Sequence, residues 1–254
     1  VRRLPPSQLE QNLSFVLELV PDLTEDLLQT VDQPLKVAVC RKTRKEYLLC
    51  DYNRDGDSYR SPWSNEYDPP LSDGAVPSDK LRKMELQAND IFSVYREHYY
   101  EGGVSSVYFW DLDSGFAACF LIKKEAAGNR GVEKGIWDAI HVIEVEPLGN
   151  NQAHYKLTTT VLLSMTTKLI NLDLSGSITR QSEADFTVND HQSHIVNMGN
   201  MIQEMENKLR NTLDIIYFGK THEITSNLRS IYSLEERNRQ KALADELKHA
   251  FKGK

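Results

Sequence analysis

The sequence predicts an α+β fold with a central five-stranded antiparallel sheet and a long helix on either side of it in the chain. Five consecutive strand-like runs lie between residues 104 and 181, joined by short turns rich in Gly, Asp and Asn. Strands that follow one another without intervening helices form antiparallel sheets. Apolar residues at helical spacing predict the two long helices, over residues 78–99 and 190–218.

Residues 6–31 predict two short helices. The first carries apolar residues at helical spacing up to Pro21, which breaks it, and the second follows an acidic turn and runs to Val31. Residues 35–63 have the composition of short strands joined by turns, and residues 64–77 that of a loop rich in Pro, Asp and Gly.

Each long helix carries an apolar stripe that we expect to face the core. The first helix begins at its predicted N-cap, Ser78, and Gly102-Gly103 stops it. Its stripe consists of Leu81, Met84, Ala88, Ile91 and Tyr95. The apolar stripe of the second helix is wide enough to cover one face of a sheet or to pack against a partner helix. That stripe consists of Ile195, Met198, Ile202, Met205, Leu209 and Ile216.

The five strand-like runs predict a sheet with one buried face. In the third run Ile140, Val142 and Val145 are set against His141 and Glu144, so we expect the apolar set to point to the core and the polar set to solvent. The turn after the first run has hairpin composition. The runs are VSSVYFWDLD, GFAACFLIKKEA, KGIWDAIHVIEVE, AHYKLTTTVLLSM and LINLDLSGSITRQ.

Composition and charge exclude several classes of protein. The 254 residues are 40% hydrophobic and carry a net charge of −7, which is typical of a globular protein and argues against nucleic-acid binding. Three widely spaced cysteines favour a reducing compartment, so we expect a cytoplasmic protein. The longest apolar run, FAACFLI, is too short to cross a membrane, and no signal peptide is visible. Residues 234–254 differ from the rest, with six Lys or Arg against four Asp or Glu.

The stretch CDYNRDGDSYRSP, residues 50–62, raises the question of a calcium site. Its Asp, Asn and Gly residues match the early positions of an EF-hand loop, but Pro62 stands where the loop needs a bidentate Glu. The flanking residues predict a strand and a turn rather than two helices. We therefore expect a polar turn with no metal. The matching residues are Asp51, Asn53, Asp55, Gly56 and Asp57.

No catalytic motif is visible in the sequence. EGGVSS follows a helix, whereas a phosphate-binding loop would follow a strand, and neither a nucleophile elbow nor an HExxH motif occurs. His191 and His194 lie three apart near a helix start without an acidic or cysteine partner. We predict that the chain is not an enzyme and needs no cofactor; a catalytic site assembled from distant residues is the alternative.

The segment from Cys50 to Trp63 resembles the signature of the beta-subunit family of F-actin-capping protein, the CapZ beta family. VRRLPPSQLEQNL, TVDQPLK, SPWSNEYDPPL, YEGGVSSVYFWDLD, HYKLT, MENKLR and IYFGKT resemble the same family in the same order. The resemblance runs from Val1 to about Ile231. It implies that the signature residues have a structural role. They are Cys50, Asp51, Tyr52, Asn53, Arg54 and Asp55.

The resemblance implies a heterodimer of alpha and beta subunits with similar folds. Each subunit has an N-terminal helical stalk, a central antiparallel sheet with a long helix across it, and an amphipathic C-terminal helix called the tentacle. The two sheets join into one continuous sheet. The heterodimer binds the barbed end of the actin filament and blocks subunit addition and loss. The alternative is a capping subunit within a larger assembly such as dynactin. Regulatory capping-protein-interacting proteins and acidic phosphoinositides are further expected partners, in the cytoplasm and at the cytoskeleton.

The resemblance also implies two sets of actin-binding residues. Lys208 and Arg210 match the family's basic patch; the alternative is that they are only the solvated face of a long helix. Leu243, Leu247 and Phe251 match the tentacle stripe, and the alternative is a disordered polar tail. We expect four parts in the chain: residues 1–103 with helices and a small strand region, the sheet at 104–180, the long helix and following segment at 181–233, and the tentacle at 234–254.

Overall fold

The computed structural model of the chain describes residues 9–24, 34–127, 132–167, 172–189, 193–213, 215, 238–239 and 241–242. The chain divides into two compact units, Val1–Met205 and Glu206–Lys254. The described residues of the first unit include three sheets, two α-helices and the first part of a third. The described residues of the second unit include the end of that third helix. The short helix predicted to end at Val31 lies outside the described residues.

The described elements alternate little between helix and strand, as an α+β fold requires. The helices are α1 (Leu9–Leu19), α2 (Asp79–Tyr100) and α3 (His194–Leu213). Five short strands precede α2: β1 (Lys36–Val39), β2 (Glu46–Leu49), β3 (Arg54–Asp55), β4 (Ser58–Arg60) and β5 (Tyr67–Asp68). Five long strands follow it: β6 (Val104–Leu112), β7 (Gly115–Ala127), β8 (Val132–Gly149), β9 (Gln152–Thr167) and β10 (Leu172–Thr187).

The long strands form one antiparallel sheet in the order β6-β7-β8-β9-β10, which confirms the predicted meander. A two-residue turn joins β6 to β7, where the sequence predicted a hairpin. A second two-residue turn joins β8 to β9 through Asn150 and Asn151, both at positive φ. Asn tolerates that region better than most residues, and such turns match the twist of the strands they join.

Both faces of the sheet are covered at its centre. Helix α2 and the first turn of α3 cover one face, where Phe92 of α2 packs on Phe120 of β7 with ring centroids 5.2 Å apart and His194 of α3 packs on Phe116. Residues 34–50 cover the other face, where Leu35, Leu48, Tyr108, Cys119 and Leu121 form a buried cluster.

The predicted alternation in β8 is wrong at His141. His141 pairs with Phe120 in register and is 0% exposed, with its Nδ1 2.9 Å from Thr159 Oγ1. Ile140 and Val142 lie half-buried against the cluster on the opposite face. The prediction assumed that one face of the sheet is exposed to solvent, whereas both faces are covered at the centre of this sheet.

The outer edge of β6 is capped by side chains of α2 instead of by another strand. The Asn89 amide both accepts the Val107 N–H and donates to the Val107 carbonyl, each at 2.9 Å. Glu85 accepts the Phe109 N–H at 2.8 Å. The buried face of α2 therefore includes Glu85 and Asn89, while Ile91, which we predicted to be in the core, is 56% exposed.

Glu85 is also the centre of a buried ionic cluster. Arg60 of β4 binds it through two hydrogen bonds of 2.8 and 2.7 Å, and Arg82 forms a second ion pair with it. Arg82 donates to the carbonyl oxygens of Pro62 and Trp63 as well. One carboxylate thus joins α2, β4, the turn after β4 and the edge of the large sheet.

The N-terminus of α3 differs from its prediction. The helix begins at His194, and Ser193 is its N-cap, with the Ser193 carbonyl accepting the Asn197 N–H at 3.0 Å. Four residues of the predicted stripe are buried, and Ile216 lies outside the described residues. The buried four are Met198, Ile202, Met205 and Leu209.

Replacing Glu85 by Gln should strongly destabilise the protein. The change keeps the shape but leaves the Arg60 guanidinium buried without its counter-charge, which typically costs about 3–5 kcal/mol of unfolding free energy. Chemical denaturation measures the loss. The matched control is Glu97→Gln, which removes an exposed ion pair with Arg96 of the same helix and should cost about 0.5 kcal/mol or less. Equal effects of the two substitutions would contradict the role given to Glu85.

Candidate functional site

The signature segment after β2 forms a tight turn around Asn53. The Asn53 side chain accepts the Cys50 N–H at 2.9 Å and donates to the carbonyl oxygens of Leu48 and Arg60 at 3.3 and 3.0 Å. The side chain is 2% exposed, and all three of these hydrogen bonds are made with backbone groups of β2, β4 and the turn that joins them. Arg54 closes the following turn by donating to the Gly56 carbonyl at 2.7 Å.

The residues that matched an EF-hand loop do not converge on a common point. Asn53 points into the protein, while Asp51, Asp55 and Asp57 are exposed on the turn surface. Among the described residues, no group of three or more His, Cys, Asp or Glu side chains is arranged to hold a metal ion.

The first turn of α3 is anchored to the large sheet by a polar cluster. Tyr155 Oη of β9 lies 2.7 Å from His194 Nδ1, and Asn197 donates to Tyr155 Oη and to the Thr187 carbonyl at 3.2 and 3.1 Å. Phe116 of β7 meets the His194 ring edge-on, with centroids 5.1 Å apart. Burial lowers the pKa of His194, and the positive charge of Lys80 lowers it further.

The two predicted basic residues lie on different flanks of α3. Lys208 and Arg210 are two positions apart, which separates their side chains by about 200° around a helix. Buried Leu209 lies between them. Lys208 is exposed, whereas Arg210 Nη2 lies 3.7 Å from Glu206 Oε2, and the Glu206 side chain is only 1% exposed. The structure therefore does not bring the two charges together on one face.

The three tentacle residues, Leu243, Leu247 and Phe251, lie outside the described residues. No described helix is long and apolar enough to cross a membrane.

One feature that the sequence prediction missed is the open edge of the sheet. The 16 residues of β10 pair with β9 on one side, and no described strand pairs with the other side. An unpaired edge of this length presents a row of backbone N–H and C=O groups that can pair with another chain. The only sequence signal is the position of β10 as the last strand of a meander.

Comparison with known proteins identifies sequence relatives along almost the whole chain. The family model for the F-actin capping protein beta subunit matches residues 1–225. The F-actin-capping protein subunit beta of Drosophila melanogaster is 56% identical, over 99% of this chain and 92% of the relative. Its counterpart in Caenorhabditis elegans is 54% identical over 99% and 94%, and that of Emericella nidulans is 54% identical over 97% and 93%.

A solved structure has a similar fold at low sequence identity. It is a homodimeric actin capping protein alpha subunit from Plasmodium berghei, with a TM-score of 0.58 and 17% identity, covering 91% of this chain and 93% of that one. At this identity the likeness shows the fold alone.

Acidification should loosen the attachment of α3 to the sheet. Because the folded-state pKa of His194 lies below its ordinary value of 6.5, its contribution to stability is complete above pH 6.5 and is lost as the pH falls through the folded-state pKa. The thermal midpoint should therefore drop between pH 7 and about pH 5, and His194→Gln, which keeps an acceptor for Tyr155, should reduce that drop.

The matched control is His154, whose pKa is shifted in the opposite direction to that of His194. The Asp185 carboxylate accepts a hydrogen bond from the partly exposed His154 and raises its pKa, so any contribution of that pair is present below pH 6.5 and is lost as the pH rises. His154→Gln should therefore not reduce the acid-side drop. An unchanged pH profile in His194→Gln would show that His194 is not the titrating group.

Proposed function

Since the chain belongs to the beta-subunit family of F-actin capping protein, we propose that it caps actin filaments as one subunit of a heterodimer. The observation that carries this proposal is the family match, which spans residues 1–225 and so includes the ten described strands and α3. This is a family of actin-capping proteins rather than of enzymes. The chain acts at the barbed end, where it blocks both addition and loss of subunits, in the cytoplasm and as part of the cytoskeleton.

The partner is an alpha subunit that pairs with the open edge of β10. The opposite edge, at β6, is already occupied by Glu85 and Asn89 of α2. A partner strand along β10 would continue the sheet and satisfy the outward backbone groups of its 16 residues. The fold of a known alpha subunit, which resembles this chain at a TM-score of 0.58, supports a partner of similar architecture.

Exposed apolar side chains on α2, at the other edge of the sheet, also favour a protein partner. Leu86, Ile91 and Val94 are each more than 40% exposed. Side chains of this kind, clustered on one helix, are typical of a protein–protein interface. We assign them to contact with the alpha subunit, so the chain should be poorly soluble when it is produced without its partner.

Two kinds of contact would hold the filament end. Lys208 and Arg210 attract acidic groups on actin over a distance, and the apolar stripe of the tail at Leu243, Leu247 and Phe251 fills a cleft on actin. The same positive charges can attract acidic phosphoinositide head groups, and regulatory proteins can compete for the heterodimer. Because Lys208 and Arg210 lie on two flanks of α3, we propose that they contact separate sites on the filament end.

The proposal is tested by single-filament imaging with the chain co-expressed with an alpha subunit. The purified one-to-one complex, at nanomolar concentration, should stop elongation at barbed ends and leave pointed ends growing. A stable complex that leaves barbed-end growth unchanged would refute the capping function, whereas failure to recover a complex would refute only the heterodimer.

Reversing both Lys208 and Arg210 to Glu should slow association with the filament end. Charge acts at a distance, so the deficit should shrink as salt reduces the field, whose range is about 8 Å at physiological ionic strength. Single-filament capping rates across a salt series measure this. Lys83→Glu, which reverses an exposed lysine on α2, is the control and should have much less effect.

A circular-dichroism melt must accompany the reversal, because Glu at position 210 would lie near the buried Glu206 carboxylate. The prediction fails if the variant is fully folded and only its dissociation rate changes.

Cutting the chain after Ser233 should leave a heterodimer that still caps but dissociates at least several-fold faster. The tail acts only on contact, and burial of each apolar side chain contributes about 1.5–3 kcal/mol before the cost of ordering the tail. A net loss of about 1.4 kcal/mol already lowers affinity tenfold, mostly through the off-rate. The full-length chain with Ser at positions 243, 247 and 251 should behave similarly. An unchanged residence time in both would show that the tail does not bind actin.

A further inference from the structure

The side chains of α2 that cap the edge of β6 follow a regular ladder. Glu85 accepts the Phe109 N–H, and Asn89, one helical turn later, bonds both backbone groups of Val107. The two spacings match, because four residues advance a helix by about 6 Å and two residues advance a strand by about 6.4–6.8 Å. The helix and the strand run in opposite directions, so each further turn of α2 meets an earlier residue of β6.

The next step of this ladder is left open. It sets Ser93 of α2 opposite Ser105 of β6, but the Ser93 hydroxyl donates to the Asp90 carbonyl of its own helix at 2.7 Å. Ser105 lies two residues before Val107, so its N–H and C=O also point away from β7. Among the described residues, no side chain bonds these two groups as the Asn89 amide bonds those of Val107.

A cavity of about 280 Å³ lies at this open step and is lined by Ser93 and Ser105. Trp63 forms another part of its wall. The indole N–H of Trp63 donates to the Glu46 carbonyl at 2.9 Å, and Lys45 Nζ lies 4.7 Å from the centroid of the ring. These two contacts hold the indole in place, so this side of the cavity is preformed.

Arg96 adds an unused hydrogen-bond donor to the same cavity. Its Nη1 donates to the Gly103 carbonyl at 3.2 Å, and its Nη2 lies 3.3 Å from Glu97 Oε2. Its Nε–H is buried and has no partner among the residues that the structure describes. A buried donor without an acceptor is unfavourable, so a ligand that supplies the acceptor would relieve this cost.

The open groups define the chemistry of a ligand. The Ser105 N–H and the Arg96 Nε–H each need an acceptor, and the Ser105 carbonyl needs a donor. The charges of the lining cancel, since Lys45 and Arg96 stand against Glu46 and Asp90, and a lining without net charge favours a neutral ligand. An extended peptide backbone is neutral and offers C=O and N–H groups in alternation at the spacing of a strand.

We propose that this cavity, the Ser105 slot, binds an extended peptide segment of a partner protein. One residue of the segment exchanges both backbone hydrogen bonds with Ser105, in the place that Asn89 has at Val107, and a neighbouring carbonyl of the segment accepts the Arg96 Nε–H. The slot is one step long, because Asn89 occupies the edge on one side of it and Arg96 on the other. The segment therefore crosses the edge of β6 without extending the sheet.

The Ser105 slot contains none of the proposed actin-binding residues, and its existence does not rest on the capping function. The probe is a capped tripeptide of alanine, valine and alanine, added to the isotope-labelled chain purified with its alpha subunit. In NMR spectra, the signals of the Ser105 N–H and the Arg96 Nε–H should shift together and saturate with one dissociation constant. The same peptide with N-methylvaline at its centre lacks the donor for Ser105 and should bind about tenfold more weakly or less.

Two variants of Ser93 test the location of the site. Ser93→Asn sets an amide one turn after Asn89, where it can bond Ser105 itself, so affinity for the peptide should fall about tenfold or more while the thermal midpoint is kept or raised. The matched control is Ser93→Ala, which removes the hydroxyl bonded to the Asp90 carbonyl but leaves the slot open. This variant should bind the peptide as the wild type does.

Arg96→Lys is an independent check, because it keeps the charge beside Glu97 and removes the Nε–H. Its affinity should fall several-fold, with the Ser105 signal still shifting at saturation. The proposal is overturned if the peptide shifts neither signal in the wild type, which is also the result expected if the alpha subunit already fills the slot. Wild-type affinity for the N-methylated peptide, in folded Ser93→Asn or in Arg96→Lys, would overturn it as well.

Discussion

The buried carboxylate of Glu85 is the interaction on which the arrangement of the other elements depends. Its oxygens accept the Phe109 N–H at the edge of the sheet and the guanidinium groups of Arg60 and Arg82. A charge in the interior is stable only when its partners are complete, so α2, β4 and β6 must all be in position at the same time. Asn89, one turn further along α2, acts in place of a neighbouring strand by bonding both backbone groups of Val107.

Because α2 side chains bond the β6 edge of the sheet, the two edges differ in their ability to pair with another strand. With side chains of α2 bonded to β6, the long edge of β10 is the unpaired edge of the described sheet, and we propose that a subunit of similar fold pairs there. The same sheet positions α3, because Tyr155 and Phe116 hold His194 and Asn197 at the start of the helix. The free edge of the sheet and the start of α3 therefore depend on one structural core.

Sequence periodicity predicted the five strands and the two long helices, because apolar spacing is a local property. It failed where polar groups are buried with distant partners. Glu85 bonds Arg60, 25 positions away, and His141 faces Thr159, 18 positions away, and neither pairing has a local signal. Lys208 and Arg210 are assigned by family resemblance, and the burial of Leu209, already part of the predicted apolar stripe, places them on different flanks of the helix. The open edge of β10 depends on topology, which no single run of residues encodes.

Because α2 caps the edge of the sheet at β6, we propose that β10 is the edge that pairs with the partner. Residue-resolved hydrogen exchange of the heterodimer tests it, because about half of the β10 amides point away from β9. If the alpha subunit pairs there, these outward amides of Leu172–Thr187 should be protected as strongly as those of β8. Fast exchange at every second amide of β10 in the intact heterodimer would contradict the account.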